Sequence, residues 1–278
     1  MSLQALIVGH IVKDIRADGW APGGGALYAA AQASKLGVEA AVVTACDGDI
    51  EPADLVPGVE WHVLRVDQAI TFENAYTGGV RTQRVLSTAD AIRLRDVPEA
   101  WRWAPVVLLT PVLHDIDPAM PAALASPDTL LGVGAQGWLR RLDGDRVLPG
   151  AFDSEPPWLR GDAVFVSEED LVDAEAVEAW RRRVTTVVLT RGRTGYTFWD
   201  RAGRHDLSAV PACERDPTGA GDVFATAYLV RYSETHDALA SARFAAAAAS
   251  ISVEGAGVDS VGGREQIEAR LRTLGAGA

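Results

Sequence analysis

The chain predicts an α/β fold in three layers, α/β/α, with a mainly parallel central sheet and a small β lid. From residue 106 onward, short apolar runs alternate with helical segments, a pattern that implies parallel strands joined by crossover helices. Before that point, residues 71–86 alternate in two halves around Thr77-Gly78-Gly79, which reads as a hairpin. With 278 residues, 48% of them hydrophobic, the chain can bury one large core. No repeat, low-complexity tract or long linker interrupts it. One domain over 1–278 is expected, with lid segments at roughly 10–20 and 60–90.

The elements follow in order. Ala5 to Gly9 is a short apolar run ending in glycine, as a buried parallel strand should be. Pro22-Gly23-Gly24-Gly25 turns into a helix from Ala26 to Leu36, with Gly37 as its C-cap. Ala40 to Thr44 is a second buried strand, and Trp61 to Val66 reads as another. The acidic loop between them (Asp47, Asp49, Glu51, Asp54) has no calcium-loop spacing and is expected to be solvated. Strands follow at Val106 to Pro111, Leu130 to Gly134, Ala163 to Val166 and Thr186 to Thr190, with helices from Pro118 to Ala125 and Ala174 to Arg183. Tyr196 to Trp199 and His205 to Val210 form a hairpin. Helices are then expected at Val223 to Tyr232, Ala238 to Val253 and Gly263 to Leu274.

Composition excludes several classes of function. Lys plus Arg number 26 and Asp plus Glu 38, a net charge of −12, so nucleic acid and anionic membranes are excluded as main partners. The two cysteines, Cys46 and Cys213, lack disulfide or zinc spacing and fit thiols in a reducing cytosol. Met1-Ser2-Leu3 runs directly into a strand, so no signal peptide is expected, and the Ala-rich stretch near Phe244 to Val253 is too short to span a bilayer. A cytoplasmic protein is expected.

The stretch that carries chemistry is Asp216-Pro217-Thr218-Gly219-Ala220-Gly221-Asp222, a glycine-rich turn feeding an apolar helix. Glycines let successive amides converge, and the helix start adds unpaired N–H groups and the positive end of its dipole. That combination suits phosphate, and a carboxylate beside it, Asp222, suits a general base. A plain capped turn has the same local composition.

Over all seven positions this stretch resembles the signature D-[TP]-T-G-A-G-D of the ribokinase-like (PfkB) carbohydrate kinases. The resemblance implies a ribokinase-like fold and ATP-dependent phosphorylation of a hydroxyl on a small sugar or polyol. It makes Asp222 the base and the amides of Gly219, Ala220 and Gly221 the anion hole, with Thr218 beside the nucleotide. Asp14 falls where the family carries a hydroxyl-binding Asp, and Gly24 and Gly25 lie in its first signature. Four residues after Gly24 stands Tyr28, where many sugar kinases of the family have Asn, so the chain looks more like the inositol-kinase-like branch. Asn74 and Arg84 would reach the substrate from the lid. Thr190, Gly192 and Gly195 match a T-x-G-x-x-G nucleotide segment, and Gly257 lies in the loop expected to wall the adenine. Ser167-x-x-Asp170 replaces the family's Asn-x-x-Glu, which gives Asp170 a part in magnesium binding, although Ser and Asp also suit a helix cap. The resemblance allows a potassium ion near Asp216 and Gly257, and a homodimer.

Rival readings are a nucleoside kinase of the same fold, with Trp20 and Tyr28 around a base, and a regulatory protein that binds nucleotide without turnover. A Rossmann dehydrogenase using Gly23 to Gly25 is disfavoured, because G-x-G-x-x-G spacing after the first strand is missing.

Overall fold

A computed structural model describes residues 3–77, 80–151, 156–173 and 176–275. The chain begins with β1 (Ala5–Val8), β2 (Val12–Arg16), β3 (Gly19–Gly23) and α1 (Gly25–Lys35). It continues through β4 (Ala40–Cys46), α2 (Pro52–Leu55), β5 (Glu60–Arg65), β6 (Thr71–Thr77) and β7 (Val80–Ser87). Next come β8 (Val106–Leu109), α3 (Met120–Leu124), β9 (Leu130–Gly134), α4 (Gln136–Leu139), β10 (Arg140–Asp143) and β11 (Arg146–Pro149). Then follow β12 (Ala163–Ser167), α5 (Ala176–Trp180), β13 (Thr186–Thr190), β14 (Tyr196–Asp200) and β15 (Gly203–Leu207). Helices α6 (Ala220–Thr235), α7 (Ala238–Ser252) and α8 (Arg264–Gly275) close the chain.

The main sheet has nine strands in the order β15-β14-β13-β12-β9-β8-β1-β4-β5. Its strands from β13 to β5 are parallel, and β14 and β15 add an antiparallel hairpin at one edge. Both faces are covered, which explains why its strands read as continuous apolar runs. Ala5 and Ile7 point toward α1, α6 and α7, whereas Leu6 and Val8 point into a second core that holds Trp138, Trp158 and Trp180. Helix α6 is buried at eight consecutive positions from Val223 to Val230, so it is a central helix rather than an amphipathic one. Among the described residues, no helix is long and apolar enough to cross a membrane.

A second sheet of six strands, in the order β10-β11-β7-β6-β2-β3, forms the lid. Two expectations are corrected here. Residues 60–65 are not lid: β5 continues the main sheet in parallel register with β4, from Ala41↔Glu60 to Cys46↔Arg65. The lid also gains the hairpin β10–β11, which turns at Gly144 with φ +62 and pairs Val147 with Gln83. The expected turn at Gly78-Gly79 and the start of the helix expected from Ala174 lie outside the described residues. Helix α5 spans only Ala176–Trp180, and the expected continuation to Arg183 is absent: Arg181, Arg182 and Arg183 form an exposed turn before β13.

Candidate active site

The site lies at the C-terminal ends of the parallel strands, where open α/β sheets place their ligands. Two helix starts converge there, those of α1 and α6. Gly219 caps α6 with φ +77, and a Cβ at that position would sit inside the Tyr28 ring of α1. Only glycine meets both demands. Tyr28 is therefore buried beneath the signature loop and supports it. Its hydroxyl titrates higher than usual, through burial first and then the negative charges of Asp216, Asp14 and Asp222.

The glycines of the first turn fix the spacing. A Cβ on Gly25 would lie 2.6 Å from Asp222 Oδ1 and 2.6 Å from Thr110 Cβ, and one on Gly23 would collide with Asp14. Gly24 itself adopts φ +97 against the His10 carbonyl. The triglycine thus touches Asp14 at one end and Asp222 at the other.

Asp222 stands in the first turn of α6. Burial pushes its carboxyl up to about 7, against the opposing charge of Arg140 and with a smaller push from Asp170. A carboxylate that exchanges its proton near neutral pH is tuned for base chemistry. Of the amides expected in the anion hole, that of Ala220 donates to Pro217 O at 3.2 Å. Gly221 is exposed and faces open space.

Beneath the lid, Asp14 belongs to strand β2 and is buried. Gln83 Nε2 donates to Asn74 Oδ1 at 2.9 Å, and Asn74 Nδ2 donates to Asp14 Oδ1 at 3.3 Å. This relay brings the predicted Asp14 and Asn74 together and adds Gln83, which the sequence reading missed. Arg84 is not part of it. Side chains alternate along a strand, so Arg84 lies on the opposite face from Gln83, exposed and paired with Glu73 and Asp145. Lid and body are joined by Lys13 to Asp47 (2.7 Å) and Asp49 (2.5 Å), and by Arg16 to Asp216 at 3.4 Å. Burial alone would raise the Asp216 carboxyl, but Thr218 and Arg16 hold it below the usual range.

Thr190 ends β13, and its hydroxyl donates to Val166 O at 3.3 Å. Gly192 (φ +49) and Gly195 (φ +112) shape the turn that follows. Arg193 pairs with Glu214 at 3.1 Å, while Arg215 N and Asp216 N donate to Val253 O at 2.7 and 3.2 Å. Thr190, Gly192, Gly195, Thr218 and Gly257 (φ +66) therefore border three adjoining segments.

Asp170 differs from expectation. Ser167 caps its short turn by accepting from Glu169 N at 3.3 Å, and Arg140 Nε donates to Asp170 Oδ1 at 3.4 Å. The pair is buried, and among the described residues no cluster of three or more His, Cys, Asp or Glu could hold a metal ion. The Asp170 carboxylate is paired through Oδ1 with the Arg140 guanidinium.

Residues 161–262, a little over a third of the chain, match the profile of the pfkB family carbohydrate kinases. The match spans β12 to the turn before α8, so it includes the glycine-rich loop before α6 and the turn after β13. An inositol 3-kinase of Zea mays is 34% identical over 129 residues, which is 42% of this chain and 33% of that protein's length. A cytidine kinase of Thermococcus kodakarensis is 25% identical over 257 residues, 83% of this chain and 89% of that protein. Among solved structures, a pyrophosphate-dependent myo-inositol-1 kinase converted into a myo-inositol-3 kinase superimposes with a TM-score of 0.81 at 21% identity, covering 97% of this chain and 99% of that one. The ribokinase of Arabidopsis thaliana, complexed with ribose and ATP, gives 0.73 at 20% identity, with 98% and 99% covered. These likenesses establish the ribokinase-like fold.

Proposed function

We propose that this chain transfers a phosphoryl group from ATP to a hydroxyl of a small sugar or polyol, with an inositol-like acceptor favoured. The observation that carries the proposal is Asp222, a carboxylate titrating near 7 at the start of α6, within the signature loop and against Gly25. Asp14 and Asn74 orient the acceptor by hydrogen bonds to its hydroxyls, and the backbone of Gly24 and Gly25 lies against it. Asp222 takes the proton of the attacking hydroxyl. The α6 dipole and the amides at Gly219 and Gly221 draw the transferred phosphoryl group toward that hydroxyl. Thr190, Gly192, Gly195, Thr218 and Gly257 flank the nucleotide. Magnesium, when bound to the donor, neutralises phosphate charge; no step is assigned to it, since Asp170 is held by Arg140. A potassium ion near Asp216 would share that carboxylate with Arg16.

The likeness to a cytidine kinase over most of the chain supports a second reading, a nucleoside kinase of the same fold. A nucleotide-binding regulatory protein is the third. The inositol 3-kinase likeness supports the polyol reading. We place the protein in the cytoplasm, as one domain able to form a homodimer.

The test is product release from purified protein with magnesium and either ATP or pyrophosphate, across polyols, hexoses, pentoses and nucleosides. Turnover stimulated by a polyol or sugar, and lost in Asp222→Asn, supports the proposal. Turnover with nucleosides alone moves it to the second reading. Nucleotide binding without turnover moves it to the third.

A further inference from the structure

Arg140 is 6% exposed, yet it carries a full charge in a chain whose net charge is −12. It stands where α4 passes into β10, at the same sheet edge as the signature loop. Its Nη1 donates to Val112 O at 3.1 Å and its Nε to Asp170 at 3.4 Å. Val112 lies two residues beyond Thr110, whose side chain packs on Gly25 beside Asp222. The charges gathered at this edge include the carboxylates Asp14, Asp170, Asp216 and Asp222, the guanidinium groups of Arg16 and Arg140, and the Arg191–Glu168 pair just beyond β13 and β12. Arg16 and Arg140 are each paired with a carboxylate at 3.4 Å, and Arg140 is the buried one. A phosphoryl donor brings several further negative charges to this edge.

A buried ion pair is a poor source of stability, because desolvation of both charges offsets their attraction. An apolar pair of similar volume would hold the β10–β11 hairpin at least as well. The position of the pair at the phosphate edge therefore calls for a role other than tethering.

We propose that Arg140 is the fixed cation of the phosphoryl-transfer site, held by Asp170 and Val112 so that its field stabilises charge building on the transferred group. Asp170 is then the residue that positions Arg140. The inference rests on the phosphotransferase reading above, and it assigns chemistry to a residue of the lid hairpin.

The test compares wild type, Arg140→Lys and the double variant Arg140→Met/Asp170→Leu, which removes both charges while keeping apolar volume and so is expected to fold. Far-ultraviolet circular dichroism and thermal unfolding verify folding. Initial rates at saturating substrates, KM for the acceptor, and calorimetric binding of inorganic pyrophosphate are then measured. The double variant is expected to lose roughly 100- to 1000-fold in kcat, the scale for removing one oxyanion-stabilising group. Its acceptor KM should change less than about twofold, and its pyrophosphate affinity should fall at least about tenfold. Arg140→Lys, which retains the charge, should recover most of the lost rate. A folded double variant with kcat within about threefold of wild type, or with unchanged pyrophosphate affinity, overturns the role of Arg140. If wild type turns over no acceptor, the phosphotransferase reading fails, and pyrophosphate binding alone decides whether Arg140 is a phosphate-site cation.

Discussion

Replacing Asp222 with Asn should make the protein more stable and nearly inactive, both for the same physical reason. Burial moves this carboxyl from its ordinary 3.8 up to about 7, which corresponds to ~4 kcal/mol at ~1.4 kcal/mol per pH unit. The side chain is half-buried and keeps some access to water, so roughly 2–4 kcal/mol is the working figure. The sign follows from proton linkage. The folded chain holds this proton more tightly than the unfolded chain, so the cost is absent below about pH 4, grows between 4 and 7, and is complete above 7. Urea unfolding of wild type and Asp222→Asn should therefore differ by about 2–4 kcal/mol in favour of the variant at pH 8, and by less than half of that at pH 5. In the same preparations, turnover of the variant should fall by roughly two to four powers of ten. Wild-type kcat/KM should rise about tenfold per pH unit below pH 7 and level off above it. A stability difference equal at both pH values, or turnover within about threefold of wild type in the folded variant, refutes the assignment.

Other outcomes follow from the same geometry. Gly219→Ala faces both the left-handed backbone and the Tyr28 ring, so it should lose about 2 kcal/mol or more of stability; Tyr28→Ala in the same chain should restore part of that, measured as a double-mutant cycle. Gly25→Ala carries no such backbone strain but intrudes on both Asp222 and the buried Thr110. Steady-state kinetics should show about a 10- to 100-fold loss in kcat, and urea unfolding a loss of about 1–3 kcal/mol from overpacking. Lys13→Met removes the link from lid to Asp47 and Asp49 and should raise the acceptor KM several-fold, with a stability loss near 1 kcal/mol. Arg84→Ala, on the outer face of the lid, should leave both kcat and KM within about twofold of wild type.

The parts of the site legible in the sequence are those in which local chemistry and position coincide. The signature loop is one: its glycines and first-turn Asp carry the same meaning in the chain as in the fold. The strand runs are another, because a parallel sheet covered on both faces imposes apolar continuity. Hairpin β10–β11 went unread: Gly144-Asp145 is a two-residue hairpin turn, but neither flanking stretch alternates in hydrophobicity. Arg140 could not be placed at all, since a charged residue after a short apolar helix reads as surface, and its burial arises from Asp170, 30 residues away. Arg84 was misassigned by one position, and along a strand one position selects the opposite face. Tyr28 was read as a substitution facing the substrate; its ring instead meets Gly219, a contact between two helix starts far apart in sequence.

The triglycine also acts as a ruler. Gly23 touches Asp14 and Gly25 touches Asp222, and two residue steps of extended chain span at most ~7 Å. In the proposed mechanism these are the group that grips the acceptor and the group that deprotonates it, so the strut couples their positions. Lengthening that segment by one residue should then lower turnover through misplacement before it abolishes folding.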